Sequence, residues 1–134
     1  MLRQTLIISV MLSVPLLSGA AIAGDASLTS VADVQTLLGD CQQPPASPEW
    51  AYCVGVLQGV GSILSANGYL LSTGAVRSTD LQKVSICTTD SNSPAGDELI
   101  ATFIGWATAH PEASSDPDVI GAAQAFASQW PCAT

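Results

Sequence analysis

Positive charge is what this sequence has least of. Its 134 residues carry three Lys/Arg (Arg3, Arg77 and Lys83) against eleven Asp/Glu, a formal charge of −8. Nothing is available to neutralise phosphates or to bind an anionic membrane surface, which excludes nucleic acid as a partner. Charge of either sign is also scarce, at 10% of residues, while apolar residues reach 48%. That balance is the opposite of the one that keeps chains disordered, so one folded domain is predicted. With one His, and with the four Cys expected to be consumed by disulfides, no zinc constellation is left. No internal repeat or low-complexity stretch is present.

One long apolar run exists, and it lies at the start. Arg3 is followed by the run Leu6 to Leu17, broken by Pro15, and then by small residues ending Ala21-Ile22-Ala23 before Gly24. A charged start, a short apolar core and an A-x-A site predict a secretory signal peptide over residues 1–23. The core is too short to span roughly 30 Å of hydrocarbon, so no membrane anchor is expected after cleavage. No Cys follows the cleavage site, which argues against a lipoprotein. The single domain is then 24–134, with Arg77 and Lys83 as its cations beside all eleven acids. Cys41, Cys53, Cys87 and Cys132 all lie in this exported part, where an oxidising periplasm favours two disulfides.

The exported part reads as all-α, a small disulfide-stabilised bundle of about four helices with a long connection between helices two and three. Ser30 followed three residues later by Asp33 suggests a cap, with Val34, Leu38 and Cys41 at helical spacing behind it. Pro44 and Pro45 end that helix. Ser47-Pro48-Glu49 then supplies an N-cap, a first-turn proline and a first-turn acid. The second helix is expected from Pro48 to Ala66, stopped by Asn67-Gly68. Two apolar rows, Cys53/Leu57/Val60/Leu64 and Tyr52/Val56/Gly59/Ile63, predict burial on two sides. Gly55 and Gly59 lie one turn apart and are read as sites of close helix packing. A long connection follows, with one helical turn near Asp80 to Lys83. Ser93-Pro94 restarts a helix that His110-Pro111 ends, and Asp116-Pro117 starts the last one, with Val119, Ala123, Phe126 and Trp130 as its apolar row. Four cysteines allow three connectivities. A short turn between the first two helices and an antiparallel hairpin of the last two favour Cys41 with Cys53 and Cys87 with Cys132.

Catalytic chemistry is thin. His110 is the only imidazole, and Ser114 or Ser115 lies too close along the chain to build a triad with it. Asp97 and Glu98 are ordinary first-turn acids. Asp90-x-Asn92 begins like a calcium loop, but Ala95 and Ala101 stand where the glycine and the bidentate glutamate are required. Asp116-x-Asp118 fits a helix start better than a metal site. Neither an enzyme, a metal nor a cofactor is expected.

The order of short motifs is more informative. Tyr52-Cys53-Val54-Gly55 through Gly59, then Ile86-Cys87, His110-Pro111-Glu112 and Trp130-Pro131-Cys132 resembles the Rap/Tai family of type VI secretion immunity proteins. The likeness runs from about Val31 to Cys132. It departs after Ile86-Cys87, where Thr88-Thr89-Asp90 replaces a proline and an acidic-glycine turn. The resemblance implies an exported, all-helical homodimer that inhibits a peptidoglycan amidase toxin, with Gly55 and Gly59 as one candidate dimer contact. It also implies that an inter-helix loop enters the toxin's active site. By position that loop is the acid-rich turn His110 to Asp118, with His110, Glu112, Ser114, Ser115, Asp116 and Asp118 as candidate partner-binding residues. The alternative reading is a periplasmic chaperone or envelope-stress protein of similar build.

Overall fold

The computed structural model describes residues 32–88 and 94–133. The expected leader, Ser30, Val31, Ser93 and Thr89 to Asn92 lie outside them. Five helices follow in order: α1 (Val34–Cys41), α2 (Pro48–Ser72), α3 (Thr79–Lys83), α4 (Gly96–Ala109) and α5 (Asp118–Gln129). A 3₁₀ turn, Pro111–Ala113, joins α4 to α5. Among the described residues there is no strand, only an isolated bridge between Asp33 and Pro117. The four-helix expectation holds for the longer elements, with the five-residue α3 as the helical turn of the connection.

Local signals set most of the boundaries. Ser47 caps α2 by accepting from the Trp50 N–H at 3.1 Å, with Pro48 at the first helical position. Asp33, not Ser30, caps α1, accepting from the Thr36 N–H at 2.8 Å. The helices after Ser93 and Asp116 start otherwise than expected. Ala95 and Pro117 occupy the N-cap positions of α4 and α5, and neither has a side-chain cap.

The end of α2 is a correction. Instead of stopping at Ala66, the helix runs six residues further, through Asn67-Gly68 to Ser72. Asn67 Nδ2 donates to the Val84 carbonyl at 2.8 Å, and the Ile86 N–H donates to the Leu64 carbonyl at 3.1 Å. Gly68 is buried beneath this returning chain: a Cβ there would stand 2.0 Å from the Ile86 carbonyl oxygen. The Asn-Gly pair thus docks a neighbouring segment against the helix and does not break it.

The core lies between α2 and the other helices, all of which it touches. Leu37 of α1, Cys53, Leu57 and Leu64 of α2, Ile86, Leu99 and Phe103 of α4, and Ala122, Ala125 and Phe126 of α5 form it. Of the first expected row of α2, Cys53, Leu57 and Leu64 are buried and Val60 is half-buried. Tyr52, Gly59 and Ile63 of the second row are exposed and Val56 is half-buried, because among the described residues only the contact of Tyr52 with Asp118 reaches that side. On α5 the buried face is Gly121, Ala122, Ala125 and Phe126, while Val119 at the head of the expected row is exposed. Gly55 and Gly59 are likewise not packing points within the chain, since an added Cβ at either would meet nothing within 4 Å. The close approaches occur at Gly61 against Leu99, Gly68 against Ile86, and Gly121 against Val34.

Both disulfides have the expected pairing. Cys41–Cys53 ties the end of α1 to the first turns of α2, and Cys87–Cys132 ties the chain beyond α3 to the residues after α5. No free cysteine remains among the described residues.

Candidate partner-binding turn

The chain between α4 and α5 is held from three sides. Its own turns close it: the Ala113 N–H donates to the His110 carbonyl at 3.0 Å and the Asp116 N–H to the Ala113 carbonyl at 2.9 Å. Ala113 is buried and anchors the middle. The head of α1 then docks onto it. A helix leaves its first N–H groups without intrahelical partners; here Val34 donates to the Asp116 carbonyl at 2.9 Å and Gln35 to the Ser114 carbonyl at 3.0 Å. In return the Asp118 N–H donates to the Ala32 carbonyl at 2.9 Å.

His110 ends α4, and its ring lies 4.7 Å, centroid to centroid, from that of Trp106. Its Nδ1 stands 2.8 Å from Glu112 Oε1. The hydrogen bond from His110 holds the exposed Glu112 carboxyl below its usual pKa. Asp33, at the edge of the same surface, is also lowered, by its hydrogen bonds from Thr36.

Six residues were expected to face a partner, and the structure divides them. Glu112, Ser115 and Asp116 are exposed; His110 and Ser114 are partly so. Asp118 is a correction. It is 2% exposed, and its carboxylate accepts from the Tyr52 hydroxyl at 3.0 Å and from the Val119 N–H at 2.7 Å. Placed in the first turn of α5 and bound to α2, it is a brace of the turn and offers no contact surface. Burial, then the hydrogen bond to Asp118, raise the Tyr52 pKa above 10.0. The Asp33–Pro117 bridge and the Tyr52–Asp118 link are not legible in sequence, because 84 and 66 residues separate the joined segments. Asp33 at helix-start spacing was the one available signal.

The charge is one-sided. Asp33, Glu112 and Asp116 crowd this surface, whereas Arg77 and Lys83, the cations among the described residues, both lie between α2 and α4. Lys83 is paired with Asp80 at 3.1 Å. Among the described residues no group of His, Cys, Asp or Glu is arranged to hold a metal ion. The exposed carboxylates of Glu112 and Asp116 on this backbone-braced turn are complementary in charge to a basic surface.

A family model described as Rap1a immunity proteins matches residues 33–132. The matched span begins at the α1 cap and ends at the last disulfide cysteine, so it contains the whole bundle and the turn. No curated relative and no solved structure matches the chain.

Proposed function

The chain belongs to the Rap1a immunity protein family, and on that premise we propose that it is an exported, non-catalytic inhibitor that binds a peptidoglycan amidase toxin and blocks its active-site groove. The observation that carries this reading is the exposed acidic turn Glu112 to Asp116, braced by α1 on one side and by Asp118 on the other. A rigid probe loses little conformational freedom on entering a groove, so more of its contact energy appears as affinity. Glu112 and Asp116, with no cation on the same surface, speed association with a basic groove in a salt-dependent way. Two disulfides fit an exported protein. The family match favours inhibition of a toxin over the chaperone reading.

The α2 face left uncovered is the proposed homodimer contact. No charged residue occurs between Glu49 and Arg77, and Tyr52, Ile63, Tyr69 and Leu70 are exposed along that stretch. On so acidic a chain, an uncharged face is where a second copy is least repelled, and open Gly55 and Gly59 allow two helices to approach closely.

The test pairs the mature protein with its cognate toxin. Replacing the Glu112, Ser115 and Asp116 side chains by Gly or Ser retains every backbone carbonyl that holds α1. Inhibition should be abolished, with circular dichroism and melting temperature nearly unchanged. Full inhibition by that folded variant would place the binding surface elsewhere. Dimerisation is read separately by light scattering, where Gly59→Leu should give a monomer if α2 forms the contact.

A further inference from the structure

The two disulfides are not equivalent. Cys41 and Cys53 are 5% and 0% exposed and belong to the core, so reagents reach their sulfurs only when the bundle opens. Cys87 and Cys132 are both partly exposed, and they form one wall of a cavity of about 720 Å³ at the α2–α3 connection. Leu71, Val76, Arg77 and Gln82 are among the residues that line it elsewhere, and the volume falls within the range of small-molecule sites.

We propose that Cys87–Cys132 is a thiol-exchange site, reached through this cavity by a small anionic thiol. Exchange requires a thiolate to reach one sulfur of the bridge. Cys87 Sγ is shielded by α2, since a Cβ on Gly68 would lie only 3.4 Å from it. The attack is therefore assigned to Cys132, which is partly exposed three residues beyond the end of α5. Arg77 selects the charge of the reagent. It makes no ion pair with a described residue and no carboxylate of a described residue lines the cavity, so this is where a chain with eleven acids attracts an anion.

The chemistry balances as two thiols for one disulfide. The incoming thiolate bonds to Cys132 Sγ, the Cys87–Cys132 bond breaks, and its electron pair leaves on Cys87 Sγ, which takes a proton from water. A second thiolate attacks the sulfur of the first reagent in the mixed disulfide. It releases the oxidised reagent and leaves Cys132 to be protonated, so the bridge is reduced and the small thiol oxidised. Reduction leaves the chain before α4 held to the chain after α5 by the 3.0 Å bond from the Cys87 N–H to the Trp130 carbonyl. The head of α5 keeps its links to α1 and α2.

The oxidised mature protein is incubated under native conditions with reduced glutathione, or with cationic cysteamine, then alkylated, digested and mapped by mass. Cys87 and Cys132 should be labelled while Cys41–Cys53 stays intact and far-UV circular dichroism keeps its helical signal. In Arg77→Gln, labelling by glutathione at low salt should slow about threefold relative to labelling by cysteamine. Opening of Cys41–Cys53 first, or of both bridges together with loss of helix, would overturn the assignment. An unchanged ratio of the two rates in Arg77→Gln would overturn selection of an anionic reagent.

Discussion

Gly68→Ala tests the packing that carries the second half of the bundle. The new methyl would stand 2.0 Å from the Ile86 carbonyl oxygen and 3.0 Å from its carbon. Ordinary contact begins near 3.4 Å, so the returning chain must retreat by about 1.4 Å. Such a shift breaks the 3.1 Å bond from the Ile86 N–H to Leu64 and strains the 2.8 Å bond from Asn67 to Val84. Each contributes about 1 kcal/mol net. Ile86, 2% exposed, also begins to leave the core, losing about 1 to 2 kcal/mol of its burial. Alanine's better helix propensity returns about 1 kcal/mol. The balance is a destabilisation of about 2 to 3 kcal/mol, read by urea unfolding of the mature protein followed by circular dichroism. Gly55→Ala is the control. It lies on the same helix with nothing within 4 Å, so measured at concentrations where the chain is monomeric it should gain about 0.5 to 1 kcal/mol. A Gly68→Ala protein as stable as wild type would refute the reasoning, because the segment would then be free to move off α2.

Gly121→Ala brings a methyl within 2.3 Å of Val34 Cγ2 and 3.5 Å of Trp106, so α5 must shift from α1 at about 1 to 3 kcal/mol, measured by the same unfolding. The lowered Asp33 carboxyl gives a signed pH effect: its contribution is complete above the ordinary value of 3.8 and is lost as pH falls through the lower folded value. Protection of the Thr36 amide, taken relative to its intrinsic exchange rate at each pH, should therefore fall in acid, and Asp33→Asn should remove the part of the acid dependence that Asp33 supplies. On loop-closure entropy, the 45-residue Cys87–Cys132 separation contributes up to about 4 kcal/mol and the 12-residue Cys41–Cys53 separation up to about 3 kcal/mol. Paired Cys→Ser variants compared by thermal unfolding should follow that order unless opening Cys41–Cys53 also leaves a hole in the core, which would reverse it.

Features set by neighbours along the chain were legible. Ser47-Pro48-Glu49 announces a helix start through groups within three residues, and that start is where α2 begins. The disulfide pairing was legible for a related reason, since the ends of consecutive helices meet wherever the connection is short. Asn67-Gly68 was misread because the same dipeptide serves two purposes. In isolation it favours a helix end, but the segment around Ile86 supplies hydrogen bonds that outweigh the local preference. The rows of α2 and α5 show the same limit. Periodicity counts apolar positions, yet Tyr52, Ile63 and Val119 are apolar at helical spacing and still face outward. Which row is buried depends on where the other helices lie.

The candidate turn divides along that line as well. Its composition, three acids and two prolines between helices, marked it as an exposed connection, and for Glu112 and Asp116 that is where the side chains lie. Asp118 belongs to the same run of residues and has the opposite role, because the Tyr52 hydroxyl turns it inward. That inversion matters for the proposed inhibition. A solvated loop would lose its freedom on entering a groove, whereas this one has already been ordered during folding by α1 N–H groups that a helix start leaves available. The residues that make the turn rigid are therefore Asp33, Tyr52 and Asp118, outside the set a partner would touch. Changing them should weaken binding by loosening the free protein, while changing Glu112 or Asp116 should weaken it by slowing encounter. Association and dissociation rates measured against the same toxin separate the two groups.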